Sequence, residues 1–237
     1  MKNIENALVI LAGGNGSRFG KKLPKQFTKI NGENLIDFFL NRIDVNNFDK
    51  IVIVSKISYF KNLKNLEQNF PSVKFIFTQA GKDRQSSSYN ALKSLKSFNV
   101  NNVLIHDAAR PFASKELYDS CIKYLEEYDS VIPLVETKDT TIYIEPNNNK
   151  QKGSFLNRDF LKSIQTPQAF RYKVIREAYD NKLDNKTDDL QIMIDYYPKS
   201  KIRFIQGEHS NFKITTKKDL SILKALYDSK NYGVLYK

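Results

Sequence analysis

The chain is short of cysteine, histidine and acidic side chains, and it has no long apolar run. Cys121 is the one cysteine among 237 residues. No disulfide can form within such a chain, and a single thiol fits a reducing, cytoplasmic setting. Cys121 falls in a stretch that reads as helix, with neither His106 nor His209 as a neighbour in sequence. It is therefore expected as a small buried hydrophobe, not as a catalytic thiol. No apolar segment approaches the ~20 residues that cross a bilayer. Met1 to Asn6 leads into the first apolar run without a signal-peptide pattern. Internal repeats, disordered linkers, zinc-finger spacing and an aromatic RNA-binding signature are missing as well. What remains is the expectation of a soluble enzyme in which residues 1–237 form a single domain with a substantial core.

Acidic residues number 26 against 38 lysines and arginines, a formal net charge of +12. A surplus of this size raises nucleic-acid binding. The lysines are scattered along the chain, however, and not gathered into one arm or repeat. A basic surface equally favours anionic small substrates. Neither nucleic acid nor a membrane is expected as a partner; salt-sensitive DNA binding would revive the first.

Apolar runs alternate with helix-period patterns. Ala7–Leu11, Lys50–Ser55, Val73–Thr78, Val103–His106 and Ser130–Val135 read as strands. Between them, Ser58–Phe70 carries apolar residues at Phe60, Leu63, Leu66 and Phe70. Ser86–Phe98 carries them at Tyr89, Leu92, Leu95 and Phe98, and Lys115–Glu127 is also helical. This rhythm predicts an α/β fold: a Rossmann-like, mostly parallel sheet with helices on both faces. Residues 137–158 break it. Thr140–Ile144 looks extended, Pro146–Lys150 looks like a turn, and Ser154–Asn157 returns. A protruding β-arm is expected there. Two-stranded arms are marginal alone, which suggests a dimer; a plain surface hairpin fits the pattern as well.

Chemistry concentrates where strands end. Leu11-Ala-Gly-Gly-Asn-Gly-Ser-Arg-Phe-Gly20, followed by Leu23-Pro-Lys-Gln-Phe27, places Gly13, Gly14 and Gly16 directly after a buried strand. Glycine there lets backbone N–H groups approach a phosphate, and Arg18 and Lys25 add two cations for a polyphosphate that gains charge in reaction. The spacing is neither the dinucleotide fingerprint nor the Walker A loop, since Gly20 comes one residue late and no Gly-Lys-Ser/Thr occurs. Gly81-Lys-Asp-Arg-Gln-Ser-Ser87 opens a helix. Its amides and hydroxyls suit a base or ribose, and Asp83 or Ser86 suits the helix cap; both readings can hold. Asp107, ending a strand, is a sensible magnesium ligand, with a local salt bridge to Arg110 as the plainer alternative. Ser163–Phe170 reads as a rigid polar turn. In Asn211–Leu220, Lys213 follows the strand Lys201–Gln206, and Thr216 is placed to cap the final helix.

Taken in order, the glycine-rich string, His106-Asp-Ala-Ala-Arg-Pro111, Gln165-Thr-Pro-Gln168 and Asn211-Phe-Lys213 resemble the 2-C-methyl-D-erythritol 4-phosphate cytidylyltransferase family of the non-mevalonate isoprenoid pathway, over Ala7 to Leu226. Ribitol-5-phosphate cytidylyltransferases share most of these blocks, while Ala108-Ala109 and Asp139-Thr140 lean toward the former. The resemblance implies CTP and a sugar-alcohol phosphate as substrates, Mg²⁺ or another divalent cation as cofactor, and a homodimer. It implies that Gly13, Gly14 and Gly16 hold the CTP phosphates, and that Arg18 and Lys25 stabilise charge on the α-phosphate. Gly81, Asp83 and Ser87 would contact cytosine and ribose, with Arg84 supporting that loop. Asp107 would hold the metal. Thr140 and Arg158 would reach the sugar phosphate of the neighbouring subunit, joined by Thr166, Thr187 and Lys213. Ser210 stands where some members carry a second acidic residue. His106 is expected to pack or hydrogen-bond at the strand end and His209 to sit on a loop, since an anionic phosphate nucleophile needs no strong base. A basic nucleotide- or nucleic-acid-binding module without catalysis is the alternative from another class.

Overall fold

The computed structural model describes residues 4–14, 29–30, 32–63, 65–145, 153–181 and 186–228. In chain order the strands are β1 (Asn6–Leu11), β2 (Lys29–Ile30), β3 (Glu33–Asn34), β4 (Lys50–Ser55), β5 (Lys74–Gln79), β6 (Asn102–Asp107), β7 (Ser130–Glu136), β8 (Thr141–Ile144), β9 (Gly153–Leu156), β10 (Lys162–Ile164), β11 (Gln168–Arg171) and β12 (Ile202–Gln206). The α-helices are α1 (Leu35–Leu40), α2 (Asn65–Asn69), α3 (Arg84–Ser94), α4 (Lys115–Tyr124), α5 (Tyr172–Asn181), α6 (Asp189–Tyr196) and α7 (Lys217–Asp228).

Eight strands make one sheet. β5, β4, β1 and β6 lie side by side and parallel; helical segments carry the chain from β1 to β4, from β4 to β5 and from β5 across to β6. β11 inserts antiparallel between β6 and β7, and β12 closes the far edge parallel to β7. The expected architecture is borne out: a mostly parallel sheet with helices on both faces. Alternation along the strands explains the two faces. Leu8, Ile10, Ile51 and Ile53 point to one side, against Phe39 and Leu40 of α1 and Leu117, Tyr118 and Cys121 of α4. Ala7, Val9, Val52 and Val54 point to the other, against Leu92 of α3, Ile175 and Tyr179 of α5, and Met193 of α6. Burying each large aliphatic side chain contributes roughly 1.5–3 kcal/mol, so the fully buried residues of β1, β4 and β6 add substantially to stability. Leu220 and Leu223 dock α7 on Leu35, Phe38 and Phe112. Cys121 is fully buried on α4, and burial raises its thiol pKa well above the ordinary value, as expected of an inert side chain.

Two local readings need correction. The segment 58–70 is a 3₁₀ stretch, Ile57–Leu63, followed by the short α2. Its apolar spacing suits one helix, but Ser58, Tyr59, Phe60, Asn62 and Asn65 are weak helix formers. The polar turn expected at 163–170 is two strand pieces. From Ile164 to Ala169 the chain advances five residues while β7 advances three, from Leu134 to Val131; the Gln165 N–H still donates to Pro133 O, so Thr166 and Pro167 are the residues that bulge out of the ladder. The expected arm is a separate antiparallel hairpin, β8 paired with β9, sharing no ladder with the main sheet. Its surface is apolar, with Ile142, Ile144 and Phe155 exposed. The asparagine-rich turn, 146–150, lies outside the described residues.

Candidate functional site

A cavity of about 630 Å³ opens where β1, β4, β5 and β6 end. Parallel sheets collect ligands at these carboxyl ends because backbone amides and following helices converge there. Gly13 and Gly14, just past β1, line it together with Gly81, Asp83, Arg84, Ser87, Asp107 and Lys213. Gly13 packs so closely on Ala80 that an added Cβ would overlap the alanine methyl. Only glycine allows that approach. Gly16, Arg18 and Lys25 lie outside the described residues.

The turn before α3 is self-organised. The Asp83 carboxylate accepts the Ser86 N–H at 2.7 Å, and the Asp83 N–H donates to Ser86 Oγ at 3.0 Å, completing a capping box. The Ser86 hydroxyl, which donates to the same carboxylate at 2.6 Å, and then the Ser86 N–H lower the Asp83 pKa. Gly81 N–H donates to Ser87 Oγ at 3.0 Å, tying the two ends of the turn together. The capping reading is thus borne out.

Arg84, the first helical residue, reaches two carboxylates. Its Nε lies 3.3 Å from Asp107 Oδ1 and its Nη1 2.7 Å from Asp189 Oδ2. Lys213 Nζ lies 2.6 Å from the other Asp107 oxygen. Burial pushes the Asp107 pKa up, but Arg84 and then Lys213 overcome it and hold the carboxyl well below the usual range. Burial likewise lowers the Arg84 pKa, and Asp189 and Asp107 more than reverse this. A salt bridge from Asp107 to Arg110 is not formed. The Arg110 Nη1 instead donates to the Asn211 carbonyl at 2.8 Å, helping to pin the loop that carries Lys213. Gln165 fastens the same loop. Its Nε2 donates to Glu208 O at 2.8 Å and its Oε1 accepts Glu208 N–H at 3.0 Å. Asn211 Nδ2 donates to Thr166 O at 2.8 Å. Gln165 and the bulge at Thr166–Pro167 therefore set where Lys213 stands.

His106 is fully buried behind this site, its ring stacked on Phe39 at 4.8 Å. Nε2 lies 2.9 Å from the Arg110 carbonyl, and a carbonyl can only accept, so the proton sits on Nε2. Nδ1 then accepts from Thr166 Oγ1 at 3.2 Å, and that oxygen accepts the Asp107 N–H at 3.1 Å. Burial lowers the His106 pKa to about 4. The folded state thus binds this proton less readily than the unfolded chain. The resulting stabilisation is complete above about pH 6.5 and is lost as pH falls toward 4, worth ~3 kcal/mol in all. Urea midpoints measured from pH 7 to 4 should fall for the natural chain, and more gently for His106→Phe. Parallel curves would count against this origin.

The remaining expected residues lie elsewhere. Thr166 is buried, its hydroxyl engaged with His106 and Asp107. Thr187 is exposed ahead of α6. Thr140 is exposed beside the arm, and Arg158 lines a second depression with Glu136, Lys138 and Lys162. Among the described residues, neither Thr140 nor Arg158 lines the main cavity of its own chain. His209 lies exposed on a loop, as expected. Sequence reasoning missed Lys56, Ile57, Ser58 and Lys82, which also line the cavity. They follow β4 and β5, and the rule about strand ends would have found them. Asp189 was missed too; it follows Asp188, the N-cap of α6, and nothing local marks its partner.

An ionised carboxylate clasped by two cations at glycine-edged strand ends is the equipment of a nucleotidyltransferase, and known proteins agree with that class. The model of the IspD family, 2-C-methyl-D-erythritol 4-phosphate cytidylyltransferase, matches residues 6–229. The chain belongs to this family, whose cytidylyl transfer serves the non-mevalonate pathway. It is 39% identical over 222 residues to the 2-C-methyl-D-erythritol 4-phosphate cytidylyltransferase of Clostridium tetani, covering 91% of this chain and 87% of that protein. It is 38% identical over 218 residues to the bifunctional IspD/IspF enzyme of Pelagibacter ubique; 92% of this chain is matched, but only 56% of that longer protein. The structure of 4-diphosphocytidyl-2C-methyl-D-erythritol synthase from Anaerococcus prevotii superposes with a TM-score of 0.81 at 28% identity, covering 95% of this chain and 99% of that one.

Proposed function

We propose that residues 1–237 act as one nucleotidyltransferase domain that joins CTP to 2-C-methyl-D-erythritol 4-phosphate, releasing pyrophosphate. The observation that carries this reading is Asp107, buried at a cavity wall yet kept ionised between Arg84 and Lys213. A fixed anion flanked by cations suits a metal-bound triphosphate better than a neutral ligand. The acceptor phosphate oxygen attacks the α-phosphorus and pyrophosphate departs in line. The nucleophile is already anionic. The barrier comes from repulsion between two anions and from charge growing in the transition state, and Arg18, Lys25 and Lys213 answer both. Holding the reactants in line supplies much of the rest. Gly13, Gly14 and Gly16 cradle the phosphates. Gly81, Asp83 and Ser87 read the nucleoside from a turn that Arg84 braces.

The family implies Mg²⁺, and the donors fit it in one manner. Among the described residues, no group of three His, Cys, Asp or Glu side chains gathers to hold a metal unaided. A single ionised carboxylate, Asp107, suits an ion that keeps several waters and takes its other ligands from substrate phosphates. When bound, the ion neutralises triphosphate charge.

The second substrate is completed by another copy of the chain. Thr140 and Arg158 stand at the base of an arm whose Ile142, Ile144 and Phe155 are exposed and unpaired with the main sheet. Covering those side chains in a homodimer would carry both residues toward the partner's Thr166, Thr187 and Lys213. Arg158→Ala is expected to raise KM for the sugar phosphate about tenfold or more and KM for CTP little, since it removes one charged phosphate contact. Equal losses for both substrates would argue against the arm assignment. The reading as a whole is tested by pyrophosphate release from CTP with 2-C-methyl-D-erythritol 4-phosphate and with ribitol 5-phosphate. Preference for ribitol 5-phosphate would move the enzyme to polyol activation for cell-surface polymers. No turnover with either acceptor, together with tight nucleic-acid binding, would replace it by a binding module.

A further inference from the structure

We infer that Asp189 is a positioning residue that aims Arg84 at Asp107 and joins the Thr187 segment to the nucleotide turn. Asp189 is fully buried in the first turn of α6. One of its oxygens accepts from the Tyr179 hydroxyl, and the other lies 2.7 Å from Arg84 Nη1. The opposite edge of the same guanidinium faces Asp107, with Nε 3.3 Å from Oδ1. Charges therefore alternate along Asp189, Arg84, Asp107 and Lys213. The planar fork of arginine matters: its nitrogens face two carboxylates in fixed directions, which a single ammonium point charge cannot reproduce.

A second bond runs alongside. The Lys186 N–H donates to Gln85 Oε1 at 3.1 Å. The residues on either side of Thr187 are thus fastened to the first two residues of α3, at Lys186–Gln85 and Asp189–Arg84. The capping box at Asp83 does not depend on either link. Loss of the Asp189 charge should leave the nucleotide turn formed while Arg84 and Asp107 lose their alignment. A buried ion pair adds little stability over well-packed apolar side chains. What this one supplies is direction.

The inference rests on the proposed cytidylyl transfer, and the test separates the two. Asp189→Asn keeps the shape but removes the charge that faces Arg84, and the Tyr179 hydroxyl can turn to accept from the amide N–H. It is expected to lower kcat about 10- to 100-fold, the usual cost of losing a partner that orients a ligating group, and to leave KM for CTP within about threefold. Combined with Arg84→Gln, it should add nothing to the loss from Arg84→Gln alone. Tyr179→Phe, which removes only the hydroxyl, should show a smaller drop in kcat with the same split, and it serves if Asp189→Asn does not fold. Normal kcat in folded Asp189→Asn or in Tyr179→Phe, or losses that multiply in the double variant, would overturn the inference. A crystal structure of Asp189→Asn adds a readout free of turnover. Arg84 withdrawn from Asp107 supports the inference; Arg84 unmoved overturns it. If the unsubstituted chain has no turnover, the cytidylyl-transfer reading falls and this crystallographic arm still decides the geometry.

Discussion

Asp107→Asn should lower pyrophosphate release by about 100- to 1000-fold in a chain that still folds, the scale at which enzymes lose rate when one preorganised electrostatic group is removed. The substitution changes charge and almost nothing else. It leaves Arg84 and Lys213 facing one another with no anion between them, and it takes away the carboxylate proposed to hold the metal; Asp83, the other carboxylate among the described lining residues, is engaged in its helix cap. Losing charged hydrogen bonds also costs stability, about 1–3 kcal/mol. At ~2–4 °C per kcal/mol for a chain of this size, melting should fall by several degrees. A shift of that size leaves the chain folded at assay temperature, so unfolding cannot account for the loss in rate. Turnover within about threefold of the natural chain would remove Asp107 from the reaction.

Arg18→Ala and Lys25→Ala are each expected to cost about 100-fold or more in turnover, with melting nearly unchanged. The argument is chemical and begins in the sequence. Gly14 lines the cavity, and the sequence runs on from it to two cations proposed to answer the charge that builds on the α-phosphate. Their work is done in the transition state, so kcat should fall further than KM for CTP rises. Initial rates at saturating CTP, beside melting curves, give the check. Near-normal rates in both variants would leave the triphosphate without its expected cations.

Much of the sheet could be read in advance because its strands are buried on both faces and their apolar runs are continuous. Lys50–Ser55 was bounded correctly, and Val103–His106 missed only the end residues of β6. Caps were legible because they are local: Thr216 Oγ1 accepts the Asp219 N–H at 3.2 Å, as the spacing implied. Long-range geometry was not. Nothing in the local sequence around Asp189 points to Arg84, more than 100 residues earlier, and the bulge at Thr166–Pro167 depends on how β7 is paired. Lys213 was legible as a cation, but its partner was not. Arg110 is closer to Asp107 in sequence, yet its guanidinium is spent on a backbone carbonyl 101 residues away.

The arm leaves the sheet after Glu136 and returns before Lys162, two residues that sit opposite each other in the β7–β10 ladder, with Lys162 Nζ 3.0 Å from Glu136 Oε1. Its two ends are therefore already clasped. To the rest of the molecule, everything from 137 to 161 is an oversized hairpin loop. Shortening it to a tight turn would leave both strand partners in register and the nucleotide cavity intact. A trimmed chain of that design would separate the proposed nucleotide capture from whatever the arm contributes to the proposed dimer.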